Sequence, residues 1–220
     1  MSSDTWPTDL RGVVESVTST RGPEDQWHVA ALGLQAGEQH AAADPVRART
    51  WGQTRTRQHF ERRGSARVQF VRDPVVFVRA ALDDFETDAP VLDAADAWVE
   101  VKAKEIERGT SGGTEWIDWR LRPERTAVER RVVPTTSRSL GAVIELAVAA
   151  SRLGVPVYDD DELRDRMAYF AGVATNCGAS RAKEAVGLVA SLSAWTPDDD
   201  VAAELGASTP DADDTTDGGW

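Results

Sequence analysis

A concentration of arginine and threonine near the start of the chain has the residue types of an anion site. From Pro45 to Arg72 there are eight arginines and one acid, Glu61, although the formal net charge of the chain is −12. In this basic segment, Thr54 and Thr56 alternate with arginines and follow Gly52. Guanidinium groups, hydroxyls and accessible backbone N–H groups are common phosphate ligands. Charge alone leaves two interpretations open, a phosphate site or a solvated loop whose arginines balance acids elsewhere.

The composition bounds the class of protein. The chain has 220 residues, 41% of them hydrophobic, which suits one large domain or two small ones. Its one cysteine, Cys177, excludes an internal disulfide and favours a reducing compartment. No apolar run approaches the roughly 20 residues of a membrane helix, and the N-terminus has no signal-peptide pattern. We therefore expect a cytoplasmic protein without a membrane span.

The balance of charged residues suggests adaptation to salt. The chain has 37 Asp+Glu against 25 Lys+Arg, and only three of the basic residues are lysines. Scarce lysine and dispersed acids resemble the proteins of salt-loving archaea, in which surface carboxylates hold hydrated cations. We interpret the acidity as solvent adaptation, with an acidic mesophilic protein as the alternative. The acidic surface disfavours general nucleic-acid binding.

Alternation of apolar and polar residues predicts six or seven strands before Pro134. Residues 54–63 have helical spacing, and the start of such a helix would present free N–H groups to an anion. Residues 35–44 and 83–95 are predicted loops. The strands are expected at residues 11–20, 27–34, 45–50, 66–71, 97–106, 114–121 and 126–133, and residues 75–82 are either a strand or a short helix.

Helical patterns follow Pro134. Helices are predicted at 138–153, at 162–176, and from a cap at Ser180 to about residue 194. Thr196–Trp220 holds eight acids and no base, and we predict it to be disordered. Strands followed by helices indicate an α+β chain, or a barrel with a helical appendage, whose strands pair antiparallel.

Three short motifs occur in the order found in a known family. Val14–Thr20 is similar to a first strand of the type Val-x-x-Val-Thr-Thr, and His28–Gly33 to a second of the type Asn-x-Ala-Pro-Met-Ser/Gly. Thr56–Phe60 is similar to a short helix of the type Thr-x-x-Asn-Ile/Leu. Together they resemble the FMN-binding split barrel of flavin reductase-like proteins. His28 and His59 stand where that pattern has asparagine.

One branch of that superfamily is more similar still. Trp51–Thr56, Asp73–Val78 and the segment from Val133 to Ala150 resemble an uncharacterised, mainly archaeal family, domain of unknown function 447. The resemblance covers roughly residues 10–190. It implies a bound FMN and a homodimer with flavin near the subunit interface, and it implies no particular reaction.

The resemblance also implies a fold and a domain organisation. We expect an α+β fold, an antiparallel split β-barrel of the FMN-binding type followed by a small C-terminal helical bundle. The barrel would occupy residues 10–134, the helical subdomain residues 135–195 and the acidic tail residues 196–220.

The resemblance assigns the phosphate of FMN to the basic segment. Arg49, Thr54, Thr56 and Arg57 are the first candidates, because a guanidinium group and hydroxyls suit a dianionic phosphate. Arg47 and Arg55 have the same chemistry, so the choice among the arginines stays open.

Further candidates would lie along the flavin ring. Ala30, Leu32 and Gly33 would pass the ring, since small residues let backbone groups approach a ligand closely. His59 would contact the phosphate or cap its helix. His28 is interpreted as a surface strand residue.

Other kinds of site are disfavoured. His28, His40 and His59 lack metal-ligand spacing, so no metal site is expected. No glycine-rich dinucleotide motif and no nucleophile-elbow motif occurs. No catalytic residue can be assigned.

Three functions are compatible with this reading. The first is an FMN-dependent oxidoreductase, in which the flavin carries the electrons and the substrate is a pterin- or flavin-type cofactor. The second is a non-catalytic protein that stores, carries or senses FMN. The third is a binding module for another phosphorylated small molecule. Bound flavin would separate the third from the others, and turnover would separate the first from the second.

Overall fold

The computed structural model describes residues 5–37 and 46–206. Strands dominate the first half of this part of the chain and helices the second. The strands are β1 (Gly12–Arg21), β2 (Trp27–Ala36), β3 (Val46–Trp51), β4 (Ser65–Val71), β5 (Phe85–Thr87), β6 (Ala95–Ser111) and β7 (Thr114–Val128), and the helices are α1 (Arg55–Arg63), α2 (Pro74–Leu82), α3 (Arg138–Ala150), α4 (Asp160–Cys177), α5 (Ser180–Leu192) and α6 (Asp199–Gly206).

Six antiparallel strands close into a barrel. Their order is β1-β4-β6-β7-β3-β2, and β2 returns to pair with β1 along its whole length, from Gly12 opposite Ala36 to Arg21 opposite Trp27. The inward side chains form one hydrophobic cluster, in which Leu34, Val99 and Ile117 are fully buried. Alternation supplies these residues because successive side chains of a strand point to opposite faces. The predicted α+β class with an antiparallel barrel before the helices is confirmed.

The helices cover the outer face of β1 and β2. Val17 and Val29 belong to a second cluster that contains the apolar faces of the helices, including Leu146 of α3 and Met167 of α4. Helix α3, whose sequence is apolar nearly all round, lies largely inside this cluster, as its composition requires. The division into domains near residue 134 stays a prediction, because barrel and helices share these contacts.

Helix α1 packs onto the barrel through one aromatic residue. Phe60 belongs to the barrel cluster and meets Trp119 edge to face, with ring centroids 5.1 Å apart. Thr54 caps the start of α1 by accepting the N–H of Arg57 at 3.3 Å. Gly64 ends the helix at a left-handed φ of 59°, a conformation that glycine adopts without strain.

The structure decides several local predictions. Residues 75–82, predicted as strand or helix, are α2, because Asp73 caps the N–H groups of Val75 and Val76 and Pro74 occupies the first helical position. The predicted loop at 83–95 contains the short strand β5, which forms only because β2 is available to pair with it. Of the last predicted strand, at 126–133, residues 126–128 are the end of β7 and residues 129–133 are not in a strand. The predicted loop at 35–44 lies mostly outside the described residues.

The acidic tail is partly ordered, contrary to the prediction of disorder from residue 196. Asp198 accepts the N–H of Val201 at 2.9 Å and starts α6. Asp199 and Asp200 then lie in the first turn, where carboxylates are favoured by the helix dipole. Val201 is only 4% exposed because it enters the helical cluster. Residues 207–220 lie outside the described residues. The predicted cap at Ser180 is also wrong, because Ala179 holds the cap position of α5 without a side-chain bond.

Candidate functional site

Strand β2 has an open stretch along one backbone edge. On the side away from β1, residues 27–29 pair with β5 and residues 34 and 35 pair with β3. Between these pairings, Ala30–Gly33 has no strand partner on that edge within residues 5–37 and 46–206. Backbone N–H and C=O groups at an open edge are available to a ligand. Ala30, Leu32 and Gly33, the predicted ring contacts, all lie in this open edge.

The side chains of the open edge point in two directions. Leu32 belongs to the barrel interior, whereas Ala31 packs against the helical cluster. By alternation Ala30 shares the interior side with Leu32, and Gly33 lies on the opposite side. A Cβ on Gly33 would stand 3.6 Å from Glu15 Oε1, which is ordinary contact, so the fold does not require glycine there. The three residues are therefore united by their backbone and not by their side chains.

The start of α1 lies beside this edge. Arg55, the first residue of α1, donates to Asp84 Oδ1 at 2.6 Å and also to Glu86. Glu86 is the cross-strand partner of His28. Arg55 therefore lies near the first residues of β2, just before the open edge. The first turn of α1 contains no acidic residue, and its N–H groups carry the positive end of the helix dipole.

His59 lies one helical turn after Arg55 on the same face of α1. Its Nδ1 is 2.8 Å from Thr20 Oγ1 on β1. Its ring meets that of His28 edge to face, with centroids 5.8 Å apart. This contact corrects the interpretation of His28 as a surface residue, because His28 is only 6% exposed. Its position on the interior side of β2, beneath α1, buries it.

Both histidines are held in the neutral form. Burial lowers the pKa of His28, and the charge of Arg55 lowers it further. Burial, followed by His28 and the neighbouring Arg62, lowers the pKa of His59 to about 4. Both imidazoles are therefore neutral at pH 7, when each can donate one hydrogen bond and accept another.

Two predicted phosphate ligands lie elsewhere. By alternation along β3, Arg47 and Arg49 project from the outer face of the barrel. The guanidinium of Arg49 donates to both oxygens of Asp118, at 2.6 and 2.8 Å, and its Cζ lies 3.9 Å from the ring centroid of Trp116. Arg49 is thus engaged in a contact between β3 and β7. The structure does not bring Arg47 or Arg49 together with Ala30 and His59.

Arg57 and Thr56 face inward from α1. Arg57 is 4% exposed, and its Nη1 donates to the carbonyl of Gly52 at 3.0 Å and to Glu115 at 3.2 Å. These bonds brace the turn that precedes the helix. Thr56 is also buried, while Thr54 is occupied as the helix cap. Of the six predicted phosphate ligands, only Arg55 has its guanidinium group beside the open edge.

Sequence reasoning missed three residues of the site. Thr18, Asp84 and Glu86 border the histidines and Arg55, but none belongs to a charged or aromatic motif. The alternation of β1 already placed Thr18 and Thr20 on one face. Asp84 and Glu86 had no signal, because β5 is too short to recognise. No group of three or more metal-ligating side chains is found in the described ranges.

Comparison with solved structures finds similar proteins, one of them with the same fold. An FMN-bound protein of the DUF447 family from Methanosarcina mazei is 20% identical, covers 83% of this chain and 96% of its own, and has a TM-score of 0.67. Nitrilotriacetate monooxygenase component B from Bacillus cereus is 12% identical, covering 57% of this chain and 74% of its own, with a TM-score of 0.40. The styrene monooxygenase flavin reductase from Pseudomonas putida S12 is 13% identical, covering 53% and 79%, with a TM-score of 0.39.

Family models match most of the chain. One described as "Protein of unknown function (DUF447) N-terminal domain" matches residues 14–130, and one described as "Protein of unknown function (DUF447)" matches residues 137–190. Comparison with curated proteins finds no significant match. No helix in the described ranges is long and apolar enough to cross a membrane. The open edge, Arg55 and both histidines all lie within the first matched segment, and the chain belongs to the DUF447 family.

Proposed function

We propose that this protein is an FMN-binding flavoprotein whose cofactor lies along the open edge of β2 beside the start of α1. The observation that carries the proposal is that Ala30–Gly33 has no strand partner on the edge away from β1 among the described residues. A ring with hydrogen-bonding groups at its own edge would pair with the N–H and C=O groups that face this side of the strand. The FMN bound to the family member from Methanosarcina mazei supports FMN as the cofactor.

The phosphate of FMN would lie at the N-terminus of α1. Backbone N–H groups of the first turn and the guanidinium of Arg55 are the donors there. Arg55 now binds two carboxylates, and a phosphate would compete with them for the same guanidinium. Asp84 can yield its place because its side chain is 68% exposed and is readily solvated by water. Thr54 and Thr56 would contribute their backbone more than their hydroxyls.

The chemistry that FMN supplies when bound is transfer of electrons as a hydride or singly, and we propose an oxidoreductase. The residues of this chain would bind and orient the ring and exclude water from one side of it. The substrate class we favour is a pterin- or flavin-type cofactor. Two neutral imidazoles at the site would orient such a ring by hydrogen bonding, since each can donate one hydrogen bond and accept another.

The assembly and setting of the protein form a further part of the proposal. We propose a homodimer, because Trp51 at the end of β3 is 46% exposed beside the stacked pair of Arg49 and Trp116, and exposed aromatic residues are enriched in interfaces. We also propose a cytoplasmic protein of a salt-adapted organism, on the strength of its acidic composition. Light scattering in molar salt would test the dimer, and a monomer mass would contradict it.

Flavin binding is tested directly with purified protein. We expect flavin absorbance after purification, and tighter binding of FMN than of riboflavin by protein freed of flavin. Arg55→Ala should weaken FMN binding roughly ten- to a hundredfold, the effect of losing a hydrogen bond to a charged group. Reduction of the bound flavin by a nicotinamide under anaerobic conditions, followed by reoxidation by an acceptor, would separate an enzyme from a carrier.

Arg72→Ala is the matched control. It makes the same charge change at an arginine whose partner is Asp96, outside the site. Equal losses of FMN affinity in Arg55→Ala and Arg72→Ala would show that general charge, rather than a phosphate site, attracts the ligand. Equal affinity for riboflavin and FMN would contradict the phosphate site as well.

A further inference from the structure

Two buried polar atoms beside the open edge have no hydrogen-bond partner among the described residues. They are Thr18 Oγ1 on β1 and Nδ1 of His28 on β2. Thr18 is fully buried, and His28 is more than nine-tenths buried. An unsatisfied polar atom in the interior destabilises a fold unless something else bonds to it. The two atoms therefore require a hydrogen-bonding group that is not part of the described chain.

The two atoms border the same space. Thr18 is opposite Ala30, and His28 is opposite Thr20, in the β1–β2 ladder. Residues placed diagonally in this way are about 7–8 Å apart and their side chains are somewhat closer, so one small group can reach both. Ala30 lies between them on the same face and is only partly buried. Solvent therefore reaches the position between them.

The neighbouring hydroxyls show that Thr18 is the exception on its face. Ser16 donates to the carbonyl of Leu32 at 2.6 Å, and Thr20 is 2.8 Å from His59 Nδ1. Both are satisfied within the fold. The hydroxyl of Thr18, between them, is left to bond something else.

The protonation of His28 defines what it can bind. Its Nε2 is 3.4 Å from Asp84 Oδ1, so in the neutral ring the proton belongs on Nε2. Nδ1 then offers a lone pair and requires a donor. The hydroxyl of Thr18 can donate at the same time. Together they form one acceptor and one donor.

We propose that Thr18 and His28 bind the amide edge of a heterocyclic ring, where an N–H and a C=O are adjacent. The ring N–H donates to His28 Nδ1, and the hydroxyl of Thr18 donates to the carbonyl oxygen. This inference rests on the proposed function, because the flavin ring carries such an edge. A pterin-type substrate carries one too, and it is the second source of the same chemistry.

The first test is Thr18→Val, which keeps the shape and removes the hydroxyl. Riboflavin is the probe, so that the phosphate site does not enter the result. We expect the affinity for riboflavin to fall about five- to tenfold. The melting temperature of the ligand-free protein should rise, because an unsatisfied hydroxyl is replaced by a methyl group. Thr20→Val, the same change at a satisfied hydroxyl, should lower the melting temperature.

The second test changes the ligand and not the protein. Riboflavin methylated at its imide nitrogen cannot donate to His28, so the wild-type protein should bind it several-fold more weakly than riboflavin. His28→Phe should remove that difference. This arm remains informative if Thr18→Val fails to fold.

The outcomes separate this inference from the proposed function. If FMN binds but neither Thr18→Val nor methylation affects riboflavin or pterin binding, the inference is wrong and the proposed function survives. If FMN does not bind but a pterin binds in a Thr18-dependent way, the proposed function is wrong, and Thr18 and His28 still bind the amide edge of a ring. Thr18-dependent pterin binding by FMN-saturated protein assigns the pair to substrate. A lower melting temperature for Thr18→Val with unchanged affinities would mean that a buried water satisfies the pair, which overturns the inference.

Discussion

Arginines that are close together in the basic segment have different roles, which follow from the residues that each one contacts. Arg49 projects from the outer face of β3, where its Nε and Nη2 donate to the two carboxylate oxygens of Asp118. This hydrogen-bonded contact raises the pKa of Arg49 above its ordinary value. Arg55, six residues later, starts a helix at the open edge of β2. The direction of each side chain, rather than its chemistry, decides whether it can reach a ligand.

We expect Arg49→Ala to affect stability and not cofactor binding. The substitution leaves the carboxylate of Asp118 buried without its cation, which should lower the free energy of unfolding by about 1–3 kcal/mol. FMN affinity should stay within twofold of the wild-type value. Urea denaturation and FMN titration of the same sample measure both effects. If Arg49→Ala loses FMN affinity and Arg55→Ala keeps it, then Arg49 and not Arg55 is the phosphate ligand.

We expect His59 to make the stability of the protein pH-dependent. Its folded-state pKa of about 4 lies below the ordinary value near 6.5, so the unfolded chain binds more protons between these values. The free energy of unfolding therefore falls as pH falls from about 6.5 towards 4. His28, whose pKa is also lowered, contributes with the same sign.

The variant His59→Gln tests this dependence. Glutamine keeps hydrogen-bonding capacity towards Thr20 and cannot titrate, so its melting temperature should change less than that of the wild-type protein between pH 7 and pH 5. Most carboxylates stay ionised in this window, which isolates the histidines. Identical slopes for the two proteins would show that His59 is not buried in the neutral form.

At the scale of elements, the C-terminal helix α6 joins the core although its composition is that of a disordered tail. Acids at its start are favoured by the helix dipole. Lys183 of α5 donates to Glu204 of α6 at 2.8 Å. The buried Val201 and the partly buried Leu205 supply the apolar contact with the helical cluster.

We expect Val201→Ala to lower the free energy of unfolding by about 1–2 kcal/mol, because two buried methyl groups lose their contacts. Ala203→Ser, on the exposed side of the same helix, is the control and should change stability by less than about 0.5 kcal/mol. Thermal unfolding of both variants at one salt concentration provides the measurement. Equal stability of Val201→Ala and the wild-type protein would show that the packing of α6 against the helical cluster does not stabilise the fold.

At the scale of the whole molecule, charge is distributed unevenly. The net charge is −12, yet basic residues face each other across the outer side of the barrel. Arg47 of β3 is opposite Arg120 of β7, which is opposite Lys104 of β6. Like charges directly opposite on neighbouring strands are destabilising. Salt weakens both the repulsion among the acids and the repulsion within this row of basic residues.

We therefore expect the melting temperature to rise steeply between low and molar salt. The screening length falls from about 30 Å at 0.01 M to about 3 Å at 1 M, which removes repulsion over most of the surface. Exposed ion pairs weaken too, but each contributes only about 0–1 kcal/mol. Sucrose at comparable osmolality is the control, since it adds no ions. A flat dependence on salt would remove the salt-adaptation interpretation.

The amino-acid sequence by itself determined the order of most elements. Alternation located the barrel strands, because one face of each strand fills the interior. Helical spacing marked α1, and the apolar composition of α3 is typical of a buried helix. These signals are local, so they are present before any tertiary contact forms. The resemblance of short motifs added the family, which the family models confirm.

Tertiary structure alone decided the composition of the candidate site. Arg49 and Arg55 have the same chemistry in the sequence, and only the closure of the barrel separates the outer face of β3 from the open edge of β2. His28 is buried because α1 lies over it, and β5 and α6 form because β2 and the helical cluster give them something to pair with or pack against. Thr18 lies in the first of the short motifs, but its unsatisfied hydroxyl could not be foreseen, since such a group is recognised only when all of its neighbours are known. Such properties depend on which distant residues meet, and no local pattern contains that information.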